Sequence, residues 1–319
     1  MSATPANAIL LVTGGWTPGP WVAAIRAGAP ERPLQVWPDI TDPSAIGYAL
    51  VWNPPEGLLP GLPNLKAIFS LGAGADAILA LPDLPEVPIV RVVNPDLTQR
   101  MTEWIVLQVL FHHRQQRAYD RQQAARIWKE LRQPAASEVR VGIMGLGALG
   151  SEAAVALRRL GFDVGGWSRR REYLPDIACF HGRDELDRFL ARTDILVSLL
   201  PLTPETRGIL AMPLFEKLAR DGALGGPVLI NAGRGAHQVE ADIVDAIERG
   251  VLVGASLDVF ESEPLDPASP LWDLPNVVVT PHAAAASAPH ALIPPILEQI
   301  RAFEAGQPLE HVVDRDAMY

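Results

Sequence analysis

The sequence predicts an α/β chain of two domains, each built on a doubly wound parallel sheet with helices on its faces. Three observations lead there. Residues 139–171 pass from an apolar stretch through a glycine cluster and a helical pattern into a second apolar stretch. Short apolar runs and helical patterns alternate on both sides of that unit. A length of 319 residues exceeds what one hydrophobic core usually serves.

The elements follow in order. Residues 9–12, 48–52, 65–69 and 87–93 are short apolar runs between Pro- and Gly-rich turns, the pattern of a small α/β domain. A helical pattern runs from about Thr98 to Arg117 and is expected to continue to Trp128, with residues 132–137 breaking it. The central unit carries Gly145-x-Gly147-x-x-Gly150 between strand and helix. The first glycine permits the tight turn, the second lets backbone approach a pyrophosphate, and the third lets helix pack on strand. Leu146, Ala148 and Leu149 complete the turn, and the free N–H groups of the helix start form the phosphate cradle. This is a Rossmann-like dinucleotide unit.

Beyond it, residues 195–199, 228–231, 254–259 and 277–280 fit strands, and 184–191, 213–219 and 239–249 fit helices. The tail 287–306 is helical, with Pro294 and Pro295 expected to kink or restart it. The expected domains are residues 1–99 with 287–319, and residues 100–286, of which 100–137 form a helical region. Because the dinucleotide unit begins mid-chain, the first domain is assigned to substrate, and a cleft between the domains is expected.

The strand after the fingerprint ends at Ser168, and Arg169, Arg170 and Arg171 follow. NAD enzymes usually place Asp or Glu there to accept from the ribose hydroxyls. No carboxylate here repels a 2′-phosphate, and guanidinium forks suit one, so NADPH/NADP+ is expected over NADH.

Bulk properties exclude other classes. A net charge of −10 without a basic stripe argues against nucleic acid as partner. A single cysteine, Cys179, rules out an internal disulfide framework and a Cys-rich zinc site, and no metal is expected. No apolar run approaches membrane-spanning length, and residues 9–12 are too short for a signal segment. The expected setting is cytoplasmic.

In such sheets ligands bind beyond the carboxyl ends of strands, so polar residues just after strands carry the chemistry. Arg234, Glu263 and His282 stand out. Arg234 can fork onto a substrate carboxylate or polarise its carbonyl. His282 can protonate the carbonyl oxygen, and Glu263 can orient the imidazole and favour its charged form. The trio points to reduction of a carbonyl beside a carboxylate. Glu261 competes with Glu263 for the carboxylate role. His237 lies close to Arg234, as a supporting or a packing residue; His112 and His113 fall in the helical stretch, while His181, His290 and His311 are placed outside strand ends.

At these residues the chain resembles the D-isomer-specific 2-hydroxyacid dehydrogenase family over nearly its whole length. The motifs are the glycine fingerprint, Leu200-Pro201-Leu202-Thr203-Pro204-Glu205-Thr206, Asn231-Ala232-Gly233-Arg234-Gly235, Asp258-Val259-Phe260 with Glu263-Pro264, and Thr280-Pro281-His282. The motif comparison favours Glu263 over Glu261. The resemblance implies Arg234, Glu263 and His282 as the catalytic triad. It implies Leu200, Pro201, Thr206, Ala232, Gly233, Arg234 and His282 beside the cofactor, Asp258 near the nicotinamide carboxamide, and a flavodoxin-like first domain closed by the C-terminal helix.

Within the family the chain is most similar to the glyoxylate/hydroxypyruvate reductase A group. The pieces are Trp52-Asn53-Pro54-Pro55, Ser70-Leu71-Gly72-Ala73-Gly74-Ala75-Asp76, Tyr119 with Gln123 and Trp128, and Trp167-Ser168-Arg169. That likeness implies a substrate carboxylate held by the loop of Leu71, Gly72, Ala73 and Gly74, with Trp52 as pocket wall. It also implies a homodimer formed through residues 100–132. Two departures are Pro294-Pro295 in the closing helix and the plain run Ala283 to Ala286 after His282. The expected activity is NADPH-dependent reduction of small 2-oxo acids, glyoxylate to glycolate and hydroxypyruvate to D-glycerate. The alternatives are another D-2-hydroxyacid specificity or a cofactor-sensing, corepressor-like binding protein. Formate dehydrogenases of the superfamily are disfavoured, because they use glutamine where Glu263 stands.

Overall fold

The computed structural model describes residues 6–286 and 288–318. The chain divides into two compact units at residues 97/98 and 286/287.

The first unit holds β1 (Ala8–Val12), α1 (Gly19–Gly28), β2 (Leu34–Val36), β3 (Ile46–Val51), β4 (Ala67–Ser70), α2 (Asp76–Leu79) and β5 (Ile89–Val90). Helix α3 (Pro95–His113) leads out of it. The second unit continues with α4 (Gln116–Ala124), β6 (Arg140–Met144), α5 (Ala148–Arg159), β7 (Asp163–Ser168), β8 (Ala178–His181) and α6 (Leu186–Ala191). It ends with β9 (Ile195–Ser198), α7 (Met212–Phe215), β10 (Val228–Asn231), α8 (Glu240–Glu248), β11 (Gly254–Leu257) and β12 (Val277–Val279). Helix α9 (Pro289–Glu304) returns to the first unit.

The first sheet is parallel with order β2-β1-β3-β4-β5, the flavodoxin-like order, which reverses between β1 and β3. Three elements of this unit were not expected. β2 is only three half-buried residues, α1 buries only Trp21 and Ile25, and α2 is a single turn that buries Ile78, so none gives a long apolar signal. The expected strand 87–93 shrinks to β5. Pro88 has no N–H to donate, and beyond the strand the Arg91 N–H turns to the carbonyl of His311.

Helix α9 is continuous through Pro294 and Pro295, which corrects the expected restart. Both prolines face outward, while Leu292, Ile293, Ile296, Leu297 and Ile300 are buried against Ile9, Leu11, Tyr48 and Leu50. The carbonyl of Ala291, deprived of a helical partner by Pro295, accepts from Asn94 Nδ2 at 3.0 Å.

The second sheet is parallel with order β12-β11-β10-β9-β6-β7-β8, and the order reverses between β6 and β9. Its strands alternate between two cores. Leu196, Leu229 and Leu257 face one, while Ile195, Val197, Val141 and Ile143 face the other. The helix expected to reach Trp128 stops at His113, turns through left-handed Gln115 (φ 56°) and resumes as α4. No residue of α4 is buried, so no core contact extends the long helix through it. β8 was also unexpected, because only Phe180 within it is buried. It places His181 at a strand end, correcting the earlier placement of that histidine.

Among the described residues, no helix is long and apolar enough to cross a membrane. None of their His, Cys, Asp and Glu side chains form a group of three or more able to hold a metal ion.

Candidate active site

The loops after β11 and β12 bring an acid and an imidazole together. His282 Nδ1 lies 2.9 Å from Glu263 Oε2, and Glu263 Oε1 accepts the Phe260 N–H at 3.1 Å. Burial works to raise the pKa of Glu263. The hydrogen bond and charge of His282, the Phe260 N–H and the charge of Arg234 outweigh it and hold the carboxyl below its ordinary value. The competitor, Glu261, is engaged elsewhere: its N–H donates to Glu240 Oε1, and its Oε1 accepts the Glu240 N–H.

His282 adopts a left-handed backbone (φ 51°), which a non-glycine residue holds only when its surroundings enforce it. The enforcing group is Asp258, buried at the end of β11. Its carbonyl accepts the His282 N–H at 2.7 Å; its carboxylate takes the Thr280 hydroxyl and the Ala283 N–H on Oδ1, and the Ala284 N–H on Oδ2. Desolvation raises the Asp258 pKa against these lowering hydrogen bonds. Asp258 thus acts on the loop that carries His282, a positioning function beyond the cofactor contact expected of it.

Arg234 follows β10 in a second braced turn. Asn231 Oδ1 accepts the Gly233 N–H, while Asn231 Nδ2 donates to the Arg234 carbonyl and to Gln238 Oε1. The Arg234 N–H donates to Nδ1 of fully buried His237 at 3.1 Å. Nε2 of that ring therefore carries its proton and donates to the Pro201 carbonyl at 3.2 Å. His237 is both packed and positioning. It ties the loop after β10, with Ala232 and Gly233, to the loop after β9, where Leu200 and Pro201 lie. Thr206 closes the latter loop, donating to the Pro201 carbonyl and accepting the Thr203 N–H.

The turn after β6 fits a dinucleotide. Gly145 has φ 101°, and a Cβ on Gly150 would stand 1.9 Å from the Gly145 carbonyl oxygen. Leu146 is buried, filling the space over Gly166, whereas Gly147, Ala148 and half-buried Leu149 open toward solvent. A Cβ at Gly147 would meet nothing within 4 Å, so the backbone lies open where a pyrophosphate would approach. Helix α5 starts there with no acidic residue in its first turn. At the end of β7, Ser168 Oγ donates to the Arg170 carbonyl, while Arg169 and Arg170 are exposed. The exposed Glu205 carboxyl is held low by its own backbone and by Thr203, and further by the charges of Arg169 and Arg183. Arg169 therefore lies within electrostatic reach of the loop after β9.

In the first unit, the turn after β4 folds around the buried Ser70 hydroxyl. Ser70 Oγ donates within the turn, contacting the carbonyls of Gly72 and Gly74 at 3.0 and 2.8 Å, and lies 3.2 Å from the Gly72 nitrogen. The Gly72 N–H is thus engaged within the turn. Among the described residues, no protein acceptor takes the N–H of Ala73 or Gly74. Leu71 is buried beneath them, and the Trp52 ring lies over Gly72.

Arg234, Glu263 and His282 share the carboxyl edge of one sheet with the glycine turn. Trp52 and residues 71–74 occupy the carboxyl edge of the other. Sequence reasoning passed over Asn231, Gln238 and Ser70 as positioning groups, although a polar residue ending an otherwise apolar strand is a legible signal for Asn231 and Ser70.

A family model described as D-isomer specific 2-hydroxyacid dehydrogenase, NAD binding domain, matches residues 106–284. Among solved structures, the NADPH-dependent glyoxylate/hydroxypyruvate reductase of Sinorhizobium meliloti, in complex with NADP and sulfate, is 49% identical over 98% of this chain and 100% of that one, with a TM-score of 0.94. A protein of Rhizobium etli CFN 42, named a probable 2-hydroxyacid dehydrogenase and bound to NADP, HEPES and L(+)-tartaric acid, is 50% identical over 98% and 100%, with a TM-score of 0.92. A D-isomer specific 2-hydroxyacid dehydrogenase of Xanthobacter autotrophicus Py2, with NADPH and MES, is 40% identical over the same shares, with a TM-score of 0.93. The chain belongs to the D-isomer specific 2-hydroxyacid dehydrogenases.

Proposed function

We propose that this enzyme reduces small 2-oxo acids with NADPH, glyoxylate and hydroxypyruvate foremost. The observation that carries the reading is the Glu263–His282 pair on the sheet edge that also holds Arg234 and the glycine turn. The NADP-bound relatives support the cofactor, and the glyoxylate/hydroxypyruvate reductase among them supports the substrates.

Residues 145–150 and the start of α5 hold the pyrophosphate, and Ser168, Arg169 and Arg170 hold the 2′-phosphate. Leu200, Pro201, Thr206, Ala232, Gly233 and Asp258 line the remainder of the cofactor site. When bound, the cofactor supplies the hydride. Arg234 pairs with the substrate carboxylate and orients its keto group. His282 turns Nδ1–H to Glu263 and delivers a proton from Nε2 to the keto oxygen. The charge of Glu263 stabilises the imidazolium until the proton leaves. In the first unit, the Ala73 and Gly74 N–H groups of the 71–74 turn serve as donors for the carboxylate.

The protein is further proposed to be a homodimer. Trp128 is fully exposed, and Leu107 and Ile127 are 57% and 53% exposed, apolar surface suited to a second copy.

NADPH oxidation with glyoxylate as the sole oxidant tests the function. Turnover in the wild type, lost in His282→Ala with NADPH affinity retained, is the expected result. A wild type that binds NADPH but reduces neither glyoxylate nor hydroxypyruvate overturns it.

A further inference from the structure

The carboxyl ends of three neighbouring strands in the first unit meet in an aromatic stack. Trp16 follows β1, Trp52 follows β3 and Gly72 follows β4. The Trp16 and Trp52 rings are parallel, with centroids 4.9 Å apart and planes 14° apart. Trp16 also stacks on Trp21 of α1 at 5.6 Å and 9°. The Trp52 indole occupies the space that a side chain at position 72 would need: a Cβ on Gly72 would stand 2.1 Å from its Cζ3.

The backbone around the stack is equally constrained. The Trp52 N–H donates to the Val12 carbonyl at 2.8 Å, and the Leu71 N–H donates to the Val51 carbonyl at 2.9 Å. Gly14 has φ 55°, and a Cβ there would stand 2.4 Å from the Trp52 carbonyl oxygen. Trp16 is held over this turn, with its N–H donating to the Thr13 carbonyl and its carbonyl accepting the Thr13 hydroxyl.

The location gives the stack its meaning. Sheet order reverses between β1 and β3, and open α/β sheets take ligands in the crevice at such a reversal. Here the loops leaving the two flanking strands send Trp16 and Trp52 across it. The two indoles stand together at this reversal, and the 71–74 turn lies beside Trp52. Parallel stacking on the Trp16 indole and closeness to Gly72 both restrict how the Trp52 ring can turn.

We propose that Trp16 is a positioning residue that sets substrate size: by stacking on Trp52 it holds the indole over Gly72 as a fixed wall beside the 71–74 turn, admitting 2-oxo acids with a small or absent side group and excluding aryl 2-oxo acids. This rests on the reading above that the turn takes the substrate carboxylate. Trp16 touches no reacting atom and acts through Trp52.

The test compares kcat/KM for glyoxylate and phenylpyruvate in wild type, Trp16→Ala, Trp16→Phe and Gly72→Ala, with NADPH affinity and thermal unfolding measured alongside. Trp16→Ala should narrow the preference for glyoxylate by roughly tenfold, through a raised KM for glyoxylate and a lowered KM for phenylpyruvate. Trp16→Phe, which keeps an aromatic partner, should restore most of it. Gly72→Ala, whose methyl displaces the Trp52 ring, should shift the ratio in the same direction as Trp16→Ala. NADPH affinity should stay unchanged throughout. A wild type without glyoxylate turnover overturns the functional reading and this role with it. Normal wild-type turnover with an unmoved ratio in folded Trp16→Ala and Gly72→Ala overturns the Trp16 assignment alone; should Trp16→Ala fail to fold, an unmoved ratio in Gly72→Ala decides against it.

Discussion

Glu263 Oε2 stands 2.9 Å from His282 Nδ1, so the loops leaving β11 and β12 are joined at the ring nitrogen other than Nε2, the proposed proton donor. Glu263→Gln keeps the shape of this contact and removes its charge. With the charge gone, kcat should fall by about 10²-fold while NADPH affinity is retained. A kcat equal to that of the wild type would contradict the pairing.

Arg169 stands exposed at the end of β7, within electrostatic reach of Glu205. Arg169→Ala should raise KM for NADPH by about ten- to a hundredfold, the loss of a charge-assisted hydrogen bond, while KM for NADH changes little. Parallel steady-state titrations with both cofactors check this, and equal changes in both would remove the 2′-phosphate role.

Gly150→Ala sets a methyl group against the carbonyl oxygen of Gly145, at 1.9 Å before relaxation. The turn must open, at a cost of about 1–3 kcal/mol. Weaker NADPH binding by isothermal titration and a lowered melting temperature should appear together. Gly147→Ala, whose Cβ meets no protein atom, should leave the melting temperature unchanged and affect binding alone.

His112 makes stability depend on acidity. Its Nε2 lies 2.8 Å from Ser256 Oγ, which donates to Gln108 Oε1, and desolvation with the charge of Arg117 lowers its pKa from 6.5 to about 4. Below pH 6.5 the unfolded chain binds the proton and the folded one does not. Stability is therefore complete above that value and falls on acidification until about pH 4, by at most about 3 kcal/mol from this residue. Glu263, with its lowered carboxyl pKa, adds an acid loss below the ordinary carboxylate value of 4.5. Urea unfolding across this range should show a shallower slope in His112→Gln than in the wild type, and identical slopes would exclude the histidine as the source.

Trp128→Ser should shift the protein from dimer toward monomer, as read by sedimentation, without lowering NADPH affinity. A dimer of unchanged stability would place the contact elsewhere.

The residues proposed to carry the chemistry are legible because their positions follow from local pattern. The glycine turn lies between an apolar strand and a helix, and Arg234, Glu263 and His282 follow the short strands β10, β11 and β12. What lacked a local pattern was lost. Strand β8 buries one residue, so His181 was misplaced, and at Pro295 in α9 it is Asn94, far away in sequence, that takes the carbonyl of Ala291.

Residue type and short-range spacing were enough to predict the two-domain α/β class, the glycine turn, the proposed proton donor, its carboxylate partner and the guanidinium. Which groups hold them in place became visible once the chain was folded. Asp258 forces the left-handed turn at His282, His237 links Arg234 to Pro201, and Trp16 stacks on Trp52 through contacts between loops distant in sequence. Such contacts arise when parallel strands bring their carboxyl ends side by side, and no periodicity along the chain records them.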